Sequence, residues 1–299
     1  MVNTSAGSPR CPDCGTELGL DAVTKGMCPR CLLSLALVRS PPEAAVDHEA
    51  ATQDRPTTGQ ILGDRYQMRE LLGRGGMGEV WRAFDLKLRV DVALKSVRPE
   101  RLESEKARDL LRQEVRSARE VESPNVCRIC DLVVEDGREL VSMEYIDGTT
   151  LSESLRDRGP LELQEAREIA SQFLSGLEAI HQADLVHRDF KPENVMLTRA
   201  GRVVVMDFGL AQGLGDVKVG SISGTPAYMA PEQARGDVVD ARADVYAAGV
   251  VLAEMLTVGG EGGISSRREL WKGVRETPPD VPEGPWAAVL RQALDPQPE

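Results

Sequence analysis

The sequence predicts an α+β fold in two lobes, a β-rich half followed by a helical half, with a small cysteine ribbon in front. Strand-like runs fall within residues 66–97 and 138–145. Residues 163–181 instead carry apolar side chains at three- and four-residue spacing, and 244–256 reads as a further helix. Strands first and helices afterwards is the α+β arrangement. Ahead of both lie Cys11, Cys14, Cys28 and Cys31.

At 299 residues the chain can hold one large domain or two ordinary ones. It is 41% hydrophobic and 28% charged, a normal globular balance. Lys plus Arg is 36 against 48 Asp plus Glu, a net charge of −12. An acidic chain lacks the cationic surface that displaces counterions from nucleic acid, so no nucleic-acid partner is expected. The best candidate for a membrane span, residues 245–258, is too short and carries Glu254. The N-terminus MVNTSAGSPR has no apolar run and does not read as a signal peptide. A soluble, cytoplasmic enzyme is expected.

Residues 1–38 hold Cys11-Pro-Asp-Cys14 and Cys28-Pro-Arg-Cys31, two CxxC knuckles thirteen residues apart. Four thiolates so spaced suit a closed, tetrahedral, structural Zn²⁺ better than two disulfides or free thiols. So small a segment has too little core to stay folded without its metal. The basic residues in and next to it are only Arg10, Lys25, Arg30 and Arg39, and no aromatic lies among the cysteines, so a protein partner or a regulatory role is expected. Cys127-Arg-Ile-Cys130 sits in an apolar stretch and is expected to pack as core. Residues 39–60, rich in Pro, Ala, Thr and charge, read as a flexible linker. The main domain is expected over 61–299.

Within it, strands at 66–72 and 79–84 flank a glycine-rich turn, and 90–97 forms a third. Residues 104–122 form a charged helix with Leu110, Leu111 and Val115. After the strand at 138–145, Thr150-Leu-Ser-Glu153 has capping-box spacing and starts a short helix. The long helix 163–181 carries Ala166, Ile169, Ala170, Phe173, Leu174 and Leu177. Two short strands, 195–198 and 203–206, surround the turn Arg199-Ala-Gly201. Asp244 begins the helix 244–256, where the helix dipole favours a carboxylate.

Gly73-Arg-Gly75-Gly-Met-Gly78-Glu-Val80 is a GxGxxGxV run. Glycines let a backbone approach phosphates closely. Alone, the run fits a dinucleotide fingerprint or a plain hairpin turn, but residues 79–84 after it read as a strand and not the helix a dinucleotide fold needs. Its companions decide more. Val92-Ala-Leu-Lys95 puts a lysine on an apolar strand, where its ammonium can reach phosphates, and holding it there takes a carboxylate partner, for which Glu114 competes with Glu103, Glu105 and Glu120. His187-Arg-Asp189-Phe-Lys191-Pro-Glu-Asn194 and Asp207-Phe-Gly209 place Asp189, Asn194 and Asp207 beside a lysine. A few oxygen ligands plus substrate phosphates is how Mg²⁺, or Mn²⁺ in its place, is held.

These motifs, in this order, closely resemble the eukaryotic-like (Hanks-type) protein kinases, specifically the bacterial serine/threonine kinases, over residues 61–299. The resemblance implies a two-lobed protein kinase fold and transfer of the γ-phosphate of ATP to Ser/Thr hydroxyls of a protein substrate. It implies that Gly73, Gly75 and Gly78 cover the phosphates and that Lys95, braced by Glu114, holds them. Val80 and Ala93 belong to the nucleotide site, as does a hinge, Glu144-Tyr-Ile146, behind a Met143 gatekeeper. Asp189 accepts the hydroxyl proton, Lys191 steadies the γ-phosphate, and Asn194 and Asp207 hold the metal. Lys191 and the run from Gly224 and Thr225 to Glu232 mark the serine/threonine branch, with Thr225 expected near Asp189 and Lys191. Arg188 is expected to pair with a phosphorylated activation loop, with Ser221 or Ser223 as the modified residue, and Asp244 to anchor the catalytic loop.

Two departures stand out. Phe190 occupies the position of the family's usual leucine. The family pattern continues past Glu299 with an arginine for Glu232 and a final helix, so either the natural chain is longer or Glu232 uses another partner such as Arg291. The rival reading is an ATP-binding, kinase-like scaffold inactive in this truncated form, although such scaffolds normally lose a catalytic residue and none is lost here.

Overall fold

The computed structural model describes residues 56–75, 78–99, 102, 104–135, 137–208, 225, 227–257 and 286–295. Cys11, Cys14, Cys28, Cys31, most of the expected linker, Ser221 and Ser223 lie outside the described residues.

A six-stranded antiparallel sheet comes first. It contains β1 (Ile61–Leu62), β2 (Tyr66–Gly75), β3 (Gly78–Asp85), β4 (Val90–Ser96), β5 (Ile129–Glu135) and β6 (Arg138–Glu144), in the order β1-β2-β3-β4-β6-β5. The strand period of two sorts its side chains between two cores. Trp81, Ala83, Val92 and Leu94 join Tyr66, Met68 and Leu140 in an outer cluster. Ala93, Val141 and Met143 belong to the main core, with Val80 packed at its margin. Lys95, two residues after Ala93, follows that inner parity and is buried.

Helix α1 (Glu105–Arg119) is capped by Ser104, whose hydroxyl accepts from Ala107 N–H at 3.1 Å. It turns Leu111, Val115 and Ala118 into the core. The segment between α1 and β5 buries Cys127, but Cys130 is exposed, so only half of that CxxC packs as core. Cys130 lies on β5 next to buried Ile129, and strand alternation turns it outward.

The helical half begins with β7 (Gly148–Thr150) and α2 (Leu151–Arg158). The capping box is present: Glu153 N–H donates to Thr150 Oγ1 at 3.1 Å, and Thr150 N–H to Glu153 Oε2 at 2.9 Å. Helix α3 (Leu163–Gln182) buries Ala166, Ile169, Ala170, Phe173, Gly176, Leu177 and Ile180. Strands β8 (Val195–Thr198) and β9 (Val203–Val205) pair with β7 in a second sheet, β7-β8-β9. The short helix α4 (Pro231–Arg235) precedes α5 (Ala241–Thr257), which is buried from Ala243 through Met255 apart from Val245. A helix apolar nearly all round belongs at the centre of a core. Helix α6 (Ala287–Ala293) packs on it through Leu290. Among the described residues no helix is long and apolar enough to cross a membrane.

Candidate functional site

The segment joining α3 to β8 carries the predicted chemistry, and Asp244 near the start of α5 shapes it. The Asp244 carboxylate is 1% exposed and accepts three bonds, each of 2.7 Å. His187 N–H and His181 Nε2 donate to Oδ2, and Arg188 N–H to Oδ1. A buried carboxylate with this many donors is satisfied without a counter-charge of its own. The backbone bends sharply here, for Arg188 has φ +63° and Asp207 φ +60°. Such a conformation is unfavourable for non-glycine residues and persists only where surroundings over-determine it. Phe190 fills the space beneath, its ring 5.2 Å from Phe173 and edge-on to His187 at 5.6 Å. His187 Nε2 lies 2.9 Å from Met206 O, which can only accept, so that nitrogen carries hydrogen.

Asp189 is gripped on both oxygens. Lys191 Nζ donates to Oδ2 at 2.7 Å, while Thr225 donates to Oδ1 from its N–H at 2.9 Å and its hydroxyl at 3.1 Å. Lys191 Nζ also reaches Thr225 Oγ1 at 2.7 Å. The short 3-10 turn Pro192–Asn194 brings Asn194 back, and its Nδ2 donates to Asp189 O at 2.8 Å. That bond fixes the amide plane and so the direction in which the Asn194 oxygen can accept. Met206 N–H donates to Asn194 O at 2.8 Å, so Asn194 and the residue before Asp207 are held together.

Lys95 enters from the sheet, set by its pairing with Val80 and Val141. Its ammonium lies 2.9 Å from Asp207 Oδ1. Asp207, at its positive-φ bend, thus presents a carboxylate to the lysine that the sequence reading paired with Glu114. Glu114 is half-buried on α1, and its charge is felt at Arg188. Burial lowers the Arg188 pKa, with the Asp244 and Glu114 charges opposing it.

The predicted nucleotide-contact residues line up along the sheet and its exit. Gly78 has φ +149°, and a Cβ there would run into the Ser96 carbonyl, so only glycine fits. Ser96 Oγ accepts from Glu79 N–H at 2.8 Å and ties this arm of the glycine run to β4. Gly73 pairs with Val80, and Gly75 with Gly78, across the β2–β3 hairpin. Ala93 pairs with Met143, and the chain leaves β6 through Glu144 and the buried Ile146.

Three site residues were not anticipated. Gln233 accepts from Ala230 N–H at 3.1 Å and donates to Arg188 O at 2.8 Å, bracing the segment that carries Asp189; its spacing of three from Ala230, at a Pro-initiated helix start, was the available signal. His181 and Arg202 carried no sequence signal.

Asn194 and Asp207 supply hard oxygen ligands of the kind Mg²⁺ takes with one or two protein groups and substrate phosphates. The amide of Asn194 is already oriented, and one Asp207 oxygen is held by Lys95, so the donor set fits that ion.

Residues 66–261 match the protein kinase domain family. A probable serine/threonine-protein kinase of Streptomyces coelicolor is 42% identical over 207 residues, covering 66% of this chain and 31% of that protein. The serine/threonine-protein kinase PrkC of Bacillus subtilis is 38% identical over 202 residues, covering 67% and 31%. The chain thus spans about a third of the length of the curated relatives it matches. Among solved structures, the PknI kinase domain of Mycobacterium tuberculosis superposes with a TM-score of 0.62 at 25% identity, covering 82% of this chain and 92% of that one.

Proposed function

This chain belongs to the protein kinase domain family, and from that premise we propose that it is an ATP-dependent serine/threonine kinase that transfers the γ-phosphate to hydroxyls of a protein substrate. The observation that carries this is the grip on Asp189. An acidic oxygen pinned by Lys191 and Thr225 is pre-oriented to receive a hydroxyl hydrogen, and Lys191 adds positive charge where phosphoryl oxygens accumulate negative charge. Lys95, on the sheet side, anchors the nucleotide's phosphates, and Gly73, Gly75 and Gly78 let backbone cover them. Asn194 and Asp207 would hold the metal ion, which would supply positive charge against the phosphates. Catalysis of this kind is positioning plus electrostatics. The test is transfer from labelled ATP with Mg²⁺ to a generic basic protein, comparing the parent with Asp189→Asn. Transfer to Ser or Thr by the parent alone supports the assignment. Equal transfer by both overturns the role of Asp189, and a folded parent that binds ATP without transferring favours a scaffold.

Two finer features complete the proposal. Ser221 or Ser223 becomes phosphorylated and meets Arg188, whose burial is a cost that a phosphate partner offsets. Active protein with no phosphate between residues 209 and 225 by mass spectrometry would refute this. Cys11, Cys14, Cys28 and Cys31 bind one structural Zn²⁺ in a ribbon that contacts a protein partner; the spacing of the cysteines supports it. About one zinc per chain, lost in Cys11→Ser/Cys28→Ser, is the expected metal analysis; an unchanged zinc content would refute the site.

A further inference from the structure

Glu144 is the last residue of β6 and the first of the hinge that the family resemblance places in the nucleotide site. Its carboxylate is held by Arg202: the two guanidinium NH₂ groups lie 2.6 Å and 3.1 Å from its two oxygens. Arg202 Nε donates to Pro124 O at 2.6 Å, so all three arms of the fork are used. Bidentate geometry of this kind fixes direction as well as adding energy.

The fork is itself pre-set. Arg202 closes the β8–β9 turn, where its N–H donates to Thr198 Oγ1 at 3.0 Å and its carbonyl accepts from Thr198 N–H at 2.9 Å and Thr198 Oγ1 at 3.0 Å. Beneath the side chain runs a continuous joint. Residues 125–127 bond to β9 through Val205 N–H to Asn125 O and Cys127 N–H to Val205 O, both 2.8 Å. Glu144 N–H donates onward to Arg128 O at 2.9 Å. Asn125 Nδ2 reaches Val203 O at 2.8 Å and Gln172 Oε1 at 3.1 Å, tying the joint to α3.

The neighbouring hinge residue is held by the sheet. The Arg82 guanidinium stacks 4.6 Å from the centroid of the Tyr145 ring and is anchored to Asp91 at 2.6 Å. Glu144 is thus tied to the helical half and Tyr145 to the sheet. Arg202 also sits only five residues ahead of Asp207, at the start of the strand that delivers that aspartate to Lys95.

We infer that Arg202 is a positioning residue for the nucleotide: through Glu144 it sets the hinge backbone, so that one hairpin governs both ends of the bound ATP. This rests on the proposed kinase function. Releasing the fork leaves the hinge to be ordered at the moment of binding, and that ordering is subtracted from affinity.

The experiment uses the full chain, Mg²⁺ and a fluorescent ADP analogue, with the parent, Arg202→Met, Arg202→Lys, Glu144→Gln and the double variant Glu144→Gln/Arg202→Met. Arg202→Met and Glu144→Gln should each weaken the analogue by about 3- to 10-fold, and Arg202→Lys should recover part of the loss. The double variant should be no worse than either single one, because both remove the same interaction. In transfer assays KM for ATP should rise while KM for the protein substrate stays constant. If Arg202→Met does not fold, Glu144→Gln carries the same comparison. Equal affinity in parent and variants, or additive losses in the double variant, overturns the inference alone. A folded parent that fails to bind the analogue overturns the kinase function and this inference together.

Discussion

Thr225 and Asp189 are joined twice, by the threonine's N–H at 2.9 Å and its hydroxyl at 3.1 Å to the same carboxylate oxygen. They lie 36 residues apart in sequence, so this contact joins two segments that only the fold brings together. Thr225→Val keeps the shape and deletes the hydroxyl, which also removes a partner of Lys191 Nζ. Transfer should fall about 10- to 100-fold, the worth of one or two charge-assisted hydrogen bonds, with nucleotide affinity unchanged. Thr225→Ser should retain most activity. Steady-state rates beside nucleotide titrations decide it, and a Ser variant as poor as Val would mean the methyl group matters instead.

Asp244 gathers three donors at a site without solvent. Removing it in Asp244→Ala strands the His187 and Arg188 N–H groups, at about 1–3 kcal/mol for each buried donor left unmade. Chemical denaturation should show a drop of about 2–5 kcal/mol, and transfer should fall with it. Asp244→Asn keeps one acceptor and should lose less. Equal stability of parent and Ala variant would mean water replaces the carboxylate.

Gly176 lies inside α3, where helix propensity alone says that alanine should gain about 1 kcal/mol. The local packing opposes it. A Cβ there would sit 2.6 Å from Asn125 O and 3.0 Å from Val205 Cγ2, the first of them backbone and unable to rotate away. Gly176→Ala should therefore lower the thermal midpoint, and a raised midpoint would show the joint at 125–127 to be pliable.

Tyr246 is buried on α5, and that burial, helped by the Glu232 charge, pushes its phenol up to about 12. The folded value exceeds the unfolded one of about 10. Its contribution is therefore complete below about pH 10 and is lost as pH rises from there toward 12. Tyr246→Phe should flatten the alkaline arm of the stability–pH curve relative to the parent. Superimposable alkaline arms would mean the phenol is not desolvated.

Much of the fold was legible because its signals are local. The Thr150–Glu153 capping box, the α3 stripe and the strand alternation around Lys95 each depend on residues within a few turns of helix or one strand. The catalytic segment was legible for a different reason, since Asp189, Lys191, Asn194 and Asp207 form a dense motif whose spacing is itself distinctive. The partner of Lys95 was not. Several acids could serve, and which one approaches depends on how α1 and the Asp207 bend are set against the sheet. Cys130 escaped the same reading because a CxxC straddling a strand start cannot pack both cysteines on one face.

By itself the sequence determined the longer strands and helices and the chemical inventory of the site, through short-range periodicity and residue chemistry, but not β1, β5, β7, α4 or α6. Tertiary structure alone decided that Asp244 serves His181, His187 and Arg188, that Asp207 takes Lys95, and that Arg202 crosses to Glu144. The physical reason is one of range. A hydrogen bond or ion pair is made only at about 3 Å, and residues tens of positions apart reach that distance only once the core has packed and placed their backbones.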